Sequence, residues 1–130
     1  MFRRTRPNLI ESDEGFSIEE FPGKAGKLIY REGERKVGIS AEMLVGDARY
    51  GLYPYKIKTW DPPHENEPID RDRLEQIIEN IRRAYRHFGD EIHVSEWGKT
   101  NDVLWTEEDF DYFRKKGFKV YKLPDKKNTD

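Results

Sequence analysis

Residues 70–89 read DRDRLEQIIENIRRAYRHFG, and this stretch predicts the longest helix of the chain. Its apolar residues recur every three or four positions, which places them in one stripe along a helix. They are Leu74, Ile77, Ile78, Ile81, Ala84, Tyr85 and Phe88. Asp70 is suited to cap the first turn, and Gly89 is suited to end the last one. The stretch therefore predicts a helix with a single apolar face, which would lie on one face of a sheet.

Strand patterns dominate the chain before this helix. Residues 27–32 and 35–42 alternate apolar and polar side chains on either side of Gly33. A glycine between two alternating runs is typical of a β-hairpin, because a tight turn needs a positive φ. Residues 16–19 and 50–59 alternate in the same way and predict two further strands.

Shorter elements follow the helix. Residues 91–96 predict a strand, residues 106–117 a short second helix and residues 118–123 a final strand. A run of strands followed by helices favours an α+β fold. We therefore predict an antiparallel sheet of about five to seven strands, with the long helix packed on one face and the second, short helix near the C-terminus.

The length of 130 residues fits a single domain that spans residues 1–130. Residues 1–8 and 124–130 are polar chain ends, so we expect both to be flexible tails. No apolar stretch approaches the roughly 20 residues that cross a bilayer, and no apolar run follows the basic start as in a secretory signal. The chain has no cysteine, which excludes disulfides and thiolate metal sites. These features together predict a cytoplasmic protein.

Charge is distributed unevenly along the chain, although the net charge is only −2. Residues 61–111 carry 15 acidic and 6 basic side chains, whereas residues 112–130 carry 2 acidic and 7 basic ones. An acidic surface attracts basic partners and repels nucleic acid. The middle segment therefore favours a basic protein partner. Mixed charge that only solvates the surface remains an alternative.

The sequence contains no G-x-S-x-G, no H-E-x-x-H and no glycine-rich phosphate loop. Of its three histidines, His64 lies among prolines beside Glu65, and His87 lies near the end of the predicted helix. His93 alternates with apolar neighbours on the strand at residues 91–96 and should face solvent. We therefore predict no catalytic residue, no metal site and no cofactor, so that the protein is not an enzyme.

Other functions remain open from the residues alone. A small hydrolytic enzyme would use His64 with nearby carboxylates. A small nucleic-acid-binding module would use the basic residues Arg3, Arg4 and Arg6 together with the lysine-rich C-terminal region. A general interaction module would need only an exposed binding surface.

The loop at residues 60–68 reads WDPPHENEP and is the strongest candidate for such a surface. Prolines lower the entropy that a loop loses on binding, and aromatic anchors are typical of interaction hot spots. The candidate partner-binding residues are Trp60, Asp61, His64, Glu65 and Glu67. In the alternative, the Trp60 ring folds onto the core and the prolines only lead the chain into the helix.

Three stretches carry a family signature: YREGERKVGISAEML at residues 30–44, IKTWDPP at residues 57–63 and IIENIRRA at residues 77–84. Over about residues 28–95, the chain resembles a family of small bacterial immunity proteins found in polymorphic-toxin systems. The resemblance implies a cytosolic antidote that binds a cognate toxin domain and blocks it, with no catalytic residues of its own. A basic toxin such as a nuclease would suit the acidic middle segment.

Overall fold

The computed structural model describes residues 1–21, 26–43, 48–54, 57–96 and 107–122. These ranges contain eight strands and two helices. In chain order they are β1 (Phe2–Arg6), β2 (Leu9–Ser12), β3 (Phe16–Phe21), β4 (Lys27–Glu32), β5 (Arg35–Met43), β6 (Tyr50–Leu52), α1 (Arg71–His87), β7 (Ile92–Glu96), α2 (Glu107–Lys115) and β8 (Val120–Lys122). The strands form one sheet whose spatial order follows the chain order.

The first six strands form an antiparallel meander. Its longest hairpin joins β4 and β5 through Gly33, whose φ of +63° is the left-handed value that the turn requires. This part of the fold is local in sequence, since each strand pairs with the one before it. The hairpin predicted around Gly33 is confirmed.

The far side of the sheet is parallel, which corrects the predicted all-antiparallel arrangement. Strand β6 pairs in parallel with β7, and β7 pairs in parallel with β8. The physical reason is the connection: α1 lies between β6 and β7, and α2 lies between β7 and β8. A helical crossover returns the chain to the same end of the sheet, so the next strand runs in the same direction. The sheet is therefore mixed, and it is strongly curled.

The N-terminal residues also differ from the prediction, because Phe2–Arg6 forms β1 instead of a flexible tail. Phe2 points into the core, where its ring lies 5.9 Å from that of Phe16. Arg4 Nη1 donates to the buried Glu20 carboxylate at 2.9 Å. Both partners lie on β3, so a scan of the first eight residues alone cannot reveal what holds them. The predicted C-terminal tail at residues 124–130 lies outside the described residues.

The predicted strand at residues 50–59 is shorter in the structure. Strand β6 ends at Leu52, and the Ile57 backbone N–H donates to the Pro54 carbonyl at 3.1 Å instead of to a neighbouring strand. Thr59 then forms only an isolated antiparallel bridge with Pro68.

Helix α1 follows the predicted pattern closely. The Asp70 carboxylate accepts a hydrogen bond from the Arg73 backbone N–H at 2.8 Å, and Gly89 follows the helix with a φ of +82°. The predicted apolar stripe joins the apolar residues of the strands in one core cluster. Every residue of the stripe belongs to that cluster or packs against it, so the apolar face of α1 and the strands share one core.

Polar contacts inside the core tie α1 to the sheet. The Tyr85 hydroxyl donates to Glu20 Oε2 on β3 at 2.6 Å, and the Asn80 side-chain amide donates to the Tyr30 hydroxyl on β4 at 3.1 Å. Glu20 is 3% exposed, and its carboxylate oxygens accept hydrogen bonds from Tyr85 and Arg4, as a buried polar group requires. Burial and the adjacent carboxylate raise the pKa of Tyr85 far above its ordinary value, which keeps the phenol as a proton donor.

Helix α2 is the predicted second helix. Gly117 follows it with a φ of +90°, and the Phe113 and Phe118 rings pack edge to face with 5.5 Å between their centroids. The predicted start of this helix at Thr106 lies outside the described residues.

Candidate partner-binding surface

The loop at residues 60–68 lies along an open edge of the sheet. Strand β6 pairs only with Ala41, Glu42 and Met43 of β5, so the first half of β5 has a strand partner only on the β4 side. The Asp61 backbone N–H donates to the Lys36 carbonyl at 2.8 Å, and Asp61 Oδ2 accepts from the Gly38 backbone N–H at 3.1 Å. The loop thus satisfies polar groups that an open edge would leave to solvent or to another strand.

Backbone hydrogen bonds also close the loop on itself. The His64 N–H donates to the Asp61 carbonyl at 2.9 Å, and the Glu67 N–H donates to the His64 carbonyl at 3.0 Å. The Trp60 N–H donates to the Glu67 carbonyl at 3.2 Å. Two consecutive turns therefore bring residues 60 and 67 side by side, which fixes the loop in one shape.

The Trp60 ring points inward. It is 6% exposed and belongs to the core cluster, and the Arg73 guanidinium lies 5.9 Å from the ring centroid. Of the two sequence-based interpretations of Trp60, the structure therefore supports the core position. Trp60 anchors the loop and does not present its ring to a partner.

Two of the predicted contact residues, His64 and Glu67, contact each other, and Glu67 also pairs with Arg35. Glu67 Oε1 accepts from Arg35 Nη2 at 2.6 Å and from Arg35 Nε at 2.9 Å, and Glu67 Oε2 lies 2.8 Å from His64 Nδ1. The Arg35 guanidinium holds the pKa of Glu67 below its ordinary value. His64 and Glu67 thus clamp the loop to the start of β5, as Asp61 does further along.

Glu65 is the predicted contact residue that remains available. It is exposed and makes no hydrogen bond or ion pair within the described part of the chain. Pro62, Pro63 and Asn66 are exposed beside it in sequence. We refer to Pro62, Pro63, Glu65 and Asn66 as the loop surface: one free carboxylate on a rigid, partly apolar support.

A concave surface lies between the two helices, and the sequence did not predict it. Its volume is about 200 Å³, and its lining residues are Asp72, Glu75, Gln76, Glu79, Tyr112, Phe113, Lys116 and Phe118. We call it the interhelical groove. The spacing of its α1 residues, at 72, 75, 76 and 79, places them on one helix face. That spacing was a signal in the sequence, but the opposite wall comes from α2, and a contact between two separated helices has no local signature.

The described residues offer little for catalysis. They contain no group of three or more histidine or carboxylate side chains placed to hold a metal ion. His93, predicted to face solvent, is instead 5% exposed. It lies on β7, between two parallel neighbours, and strands in that position are buried on both faces.

The Arg3 and Arg4 side chains are also engaged within the fold, in ion pairs with Asp13 and Glu20. No helix in the described ranges is both long and apolar enough to cross a bilayer.

Comparison with known proteins gives one family. The family described as immunity protein 74 matches residues 22–100, which is more than half of the chain and includes β4 to β7, the loop and α1. No curated protein and no solved structure shows a significant match. The match includes the three stretches that carry the sequence resemblance, and it shows that the chain belongs to the immunity protein 74 family.

Proposed function

We propose that this protein binds a cognate toxin domain of a bacterial polymorphic-toxin system and neutralises it by stoichiometric protein–protein interaction. The family match over residues 22–100 carries this proposal. The protein acts in the cytoplasm as a single domain, without a cofactor and without catalytic residues of its own. It works by covering a functional surface of the toxin.

The loop surface supports the proposal because it is already held in one shape. Its core anchor, its contacts with β5 and its internal turns fix the backbone before any partner arrives. A surface ordered in advance loses little conformational entropy on binding, so more of the contact energy appears as affinity. Glu65 then offers a carboxylate with no competing partner in the described part of the chain.

Charge supports a basic toxin, and a nuclease is the class that we propose. Enzymes that act on nucleic acid carry cations where phosphate binds. Residues 61–111 have a net charge of −9, and Glu65 and Asp72 make no ion pair with any described residue. Carboxylates without internal partners can neutralise cations at the toxin's active site without first giving up an ion pair of their own.

The direct test is co-expression with the C-terminal domain of the protein encoded by the adjacent gene. We expect this domain to be toxic alone and harmless when the immunity protein is present, and we expect a complex of fixed stoichiometry by size exclusion with light scattering. Unchanged toxicity together with two separately eluting proteins would contradict the proposal.

Glu65→Lys tests the loop surface. We expect the dissociation constant of the complex to rise about tenfold or more, because a cation replaces the carboxylate that faces a basic partner. Thermal unfolding should not change, since the Glu65 side chain makes no hydrogen bond or ion pair with the described residues. The matched control is Glu11→Lys on β2, a charge reversal at a glutamate that is outside the loop and has no ion pair with the described residues. Equal weakening by both variants would show that only net charge matters and that the loop surface is not the contact.

A further inference from the structure

The interhelical groove has two walls of different chemistry. Asp72, Glu75, Gln76 and Glu79 of α1 form one wall, which extends for roughly 10 Å along the helix. Tyr112 of α2 and Lys116, which directly follows α2, form the other wall, and the buried rings of Phe113 and Phe118 form its base. Carboxylates therefore face an aromatic ring across a narrow cleft.

The size of the groove selects the kind of occupant. Its volume of about 200 Å³ lies below the range of small-molecule sites, which begins at roughly 300 Å³. A groove of this size accommodates one long side chain of a protein partner rather than a metabolite or a cofactor. The Arg82 guanidinium already covers one face of the Phe118 ring, 4.0 Å from its centroid, so the half-buried Tyr112 ring is the aromatic surface that such a side chain would contact.

The charge of the lining selects a cation. Three carboxylates and one ammonium group line the groove. Arg82 Nη2 lies 2.9 Å from Glu79 Oε2, and Arg71 Nε lies 3.6 Å from Glu75 Oε1, so α1 itself already pairs these two carboxylates and the attraction for a further cation rests mainly on Asp72. Asp72 has no such partner among the described residues, and a carboxylate that already has one partner still accepts further hydrogen bonds.

The aromatic wall suits the same occupant. The Lys116 ammonium lies 5.4 Å from the centroid of the Tyr112 ring, which shows that this ring faces a cation at the edge of the groove. Arginine combines stacking on an aromatic face with paired hydrogen bonds to carboxylates, whereas lysine supplies only a point charge. The two walls together are complementary to a guanidinium group.

Building on the proposed function, we propose that the interhelical groove receives an arginine side chain of the toxin domain. The guanidinium lies between Tyr112 and the carboxylates of Asp72 and Glu79. The family match ends at residue 100, so the α1 wall lies inside it and the α2 wall outside it. An arginine that contacts both walls is therefore recognised by a surface that the matched range alone does not supply.

Gln76 is the position that tests the groove with least damage to the fold. It is exposed and lines the groove, and none of the polar contacts of α1 described above involves it. We expect Gln76→Lys to raise the dissociation constant of the complex with the adjacent-gene toxin domain about tenfold, and Gln76→Glu to lower it severalfold. Ser40→Lys and Ser40→Glu are the matched controls, because Ser40 is an exposed neutral residue of β5 that lies away from the groove.

Each result of this experiment decides between the two proposals. Opposite shifts at Gln76 with changes below twofold at Ser40 support the groove. If the wild-type protein binds and rescues but Gln76 and Ser40 respond alike, the groove proposal is overturned and the proposed function stands. If the wild-type protein does not bind the toxin domain, the function itself is contradicted and the groove proposal falls with it.

Discussion

Individual residues show how the core holds polar groups in this protein. Glu20 is buried on β3, and its carboxylate accepts from the Tyr85 hydroxyl and from Arg4, with Arg49 Nε at 3.5 Å. One carboxylate thus joins β1, β3 and α1. Alternation along β3 predicts that position 20 points inward with Phe16 and Ile18, but its partners are distant in sequence and cannot be predicted from it.

Tyr85→Phe tests this buried contact. The substitution keeps the ring and removes the hydroxyl, so Glu20 loses one of its hydrogen bonds. We expect the free energy of unfolding to fall by about 1.5–3 kcal/mol, the range for hydrogen bonds to charged groups. Urea unfolding measures the change, and Tyr112→Phe is the control, because no hydrogen bond of the Tyr112 hydroxyl occurs within the described residues. Equal loss in both variants would show that the hydroxyl of Tyr85 contributes nothing specific.

At the scale of elements, sequence patterns correctly predicted those elements that form through interactions between neighbouring residues. Helix α1 has its cap, stripe and terminal glycine in one continuous stretch, and the β4–β5 hairpin has its turn residue between two alternating runs. The parallel pairing of β7 was missed, because its partners β6 and β8 are separated from it by a helix on either side. The same long-range pairing buries His93, which alternation alone placed in solvent.

Gly33→Ala tests the turn of this hairpin. Gly33 has a φ of +63°, and a Cβ there is strained although nothing lies within 4 Å of it. We expect a loss of about 1–2 kcal/mol in unfolding free energy. Gly38→Ala in β5 is the control, since its φ is not positive and its added Cβ meets other atoms only at ordinary contact distances of 3.5 Å or more. A greater loss of unfolding free energy for Gly38→Ala than for Gly33→Ala would contradict this prediction. It would mean that contacts of the added Cβ cost more than the positive φ at Gly33.

For the whole molecule, the salt bridges of Glu14, Glu67 and Glu91 with arginine side chains make stability depend on pH. Arg83 forms two hydrogen bonds with Glu14, at 2.6 and 2.8 Å, and holds the pKa of Glu14 below its ordinary value of 4.5. Glu91 and Glu67 have lowered pKa values for the same reason, through Arg86 and Arg35. A carboxylate whose pKa is lower in the folded state stabilises the fold above its unfolded pKa. That contribution is lost as pH falls through the folded value.

Acid unfolding should reveal this dependence. We expect the contribution of these carboxylates to the free energy of unfolding to be constant above about pH 5. Below about pH 4.5 it should decline as they bind protons. Glu14→Gln should flatten the decline, because the variant has no carboxylate at position 14 to protonate. Glu11→Gln, at a residue without an ion pair in the described part, should retain the full decline. Identical acid profiles for Glu14→Gln and the wild-type protein would contradict a role for the Arg83 pair.

The loop at residues 60–68 was predictable in position but not in its contacts. Its prolines indicated a loop directly before the long helix, and the structure has one there. The sequence left the direction of Trp60 open, and it could not show that Asp61 and Glu67 bind β5, since both partners lie more than twenty residues earlier. Only the three-dimensional structure distinguishes the acidic residues that attach the loop to β5 from Glu65, which makes no such contact.

Fastening the loop by its buried and inward-facing residues has a consequence for how partner choice can change. Positions 65 and 66 bear no part of the attachment, so replacing them alters what the surface presents while leaving its backbone in place. Under the proposed function, substitutions at these two positions would change the toxin that is recognised without changing the framework. Retargeting the protein by design should begin there, with Trp60, Asp61 and Glu67 kept as they are.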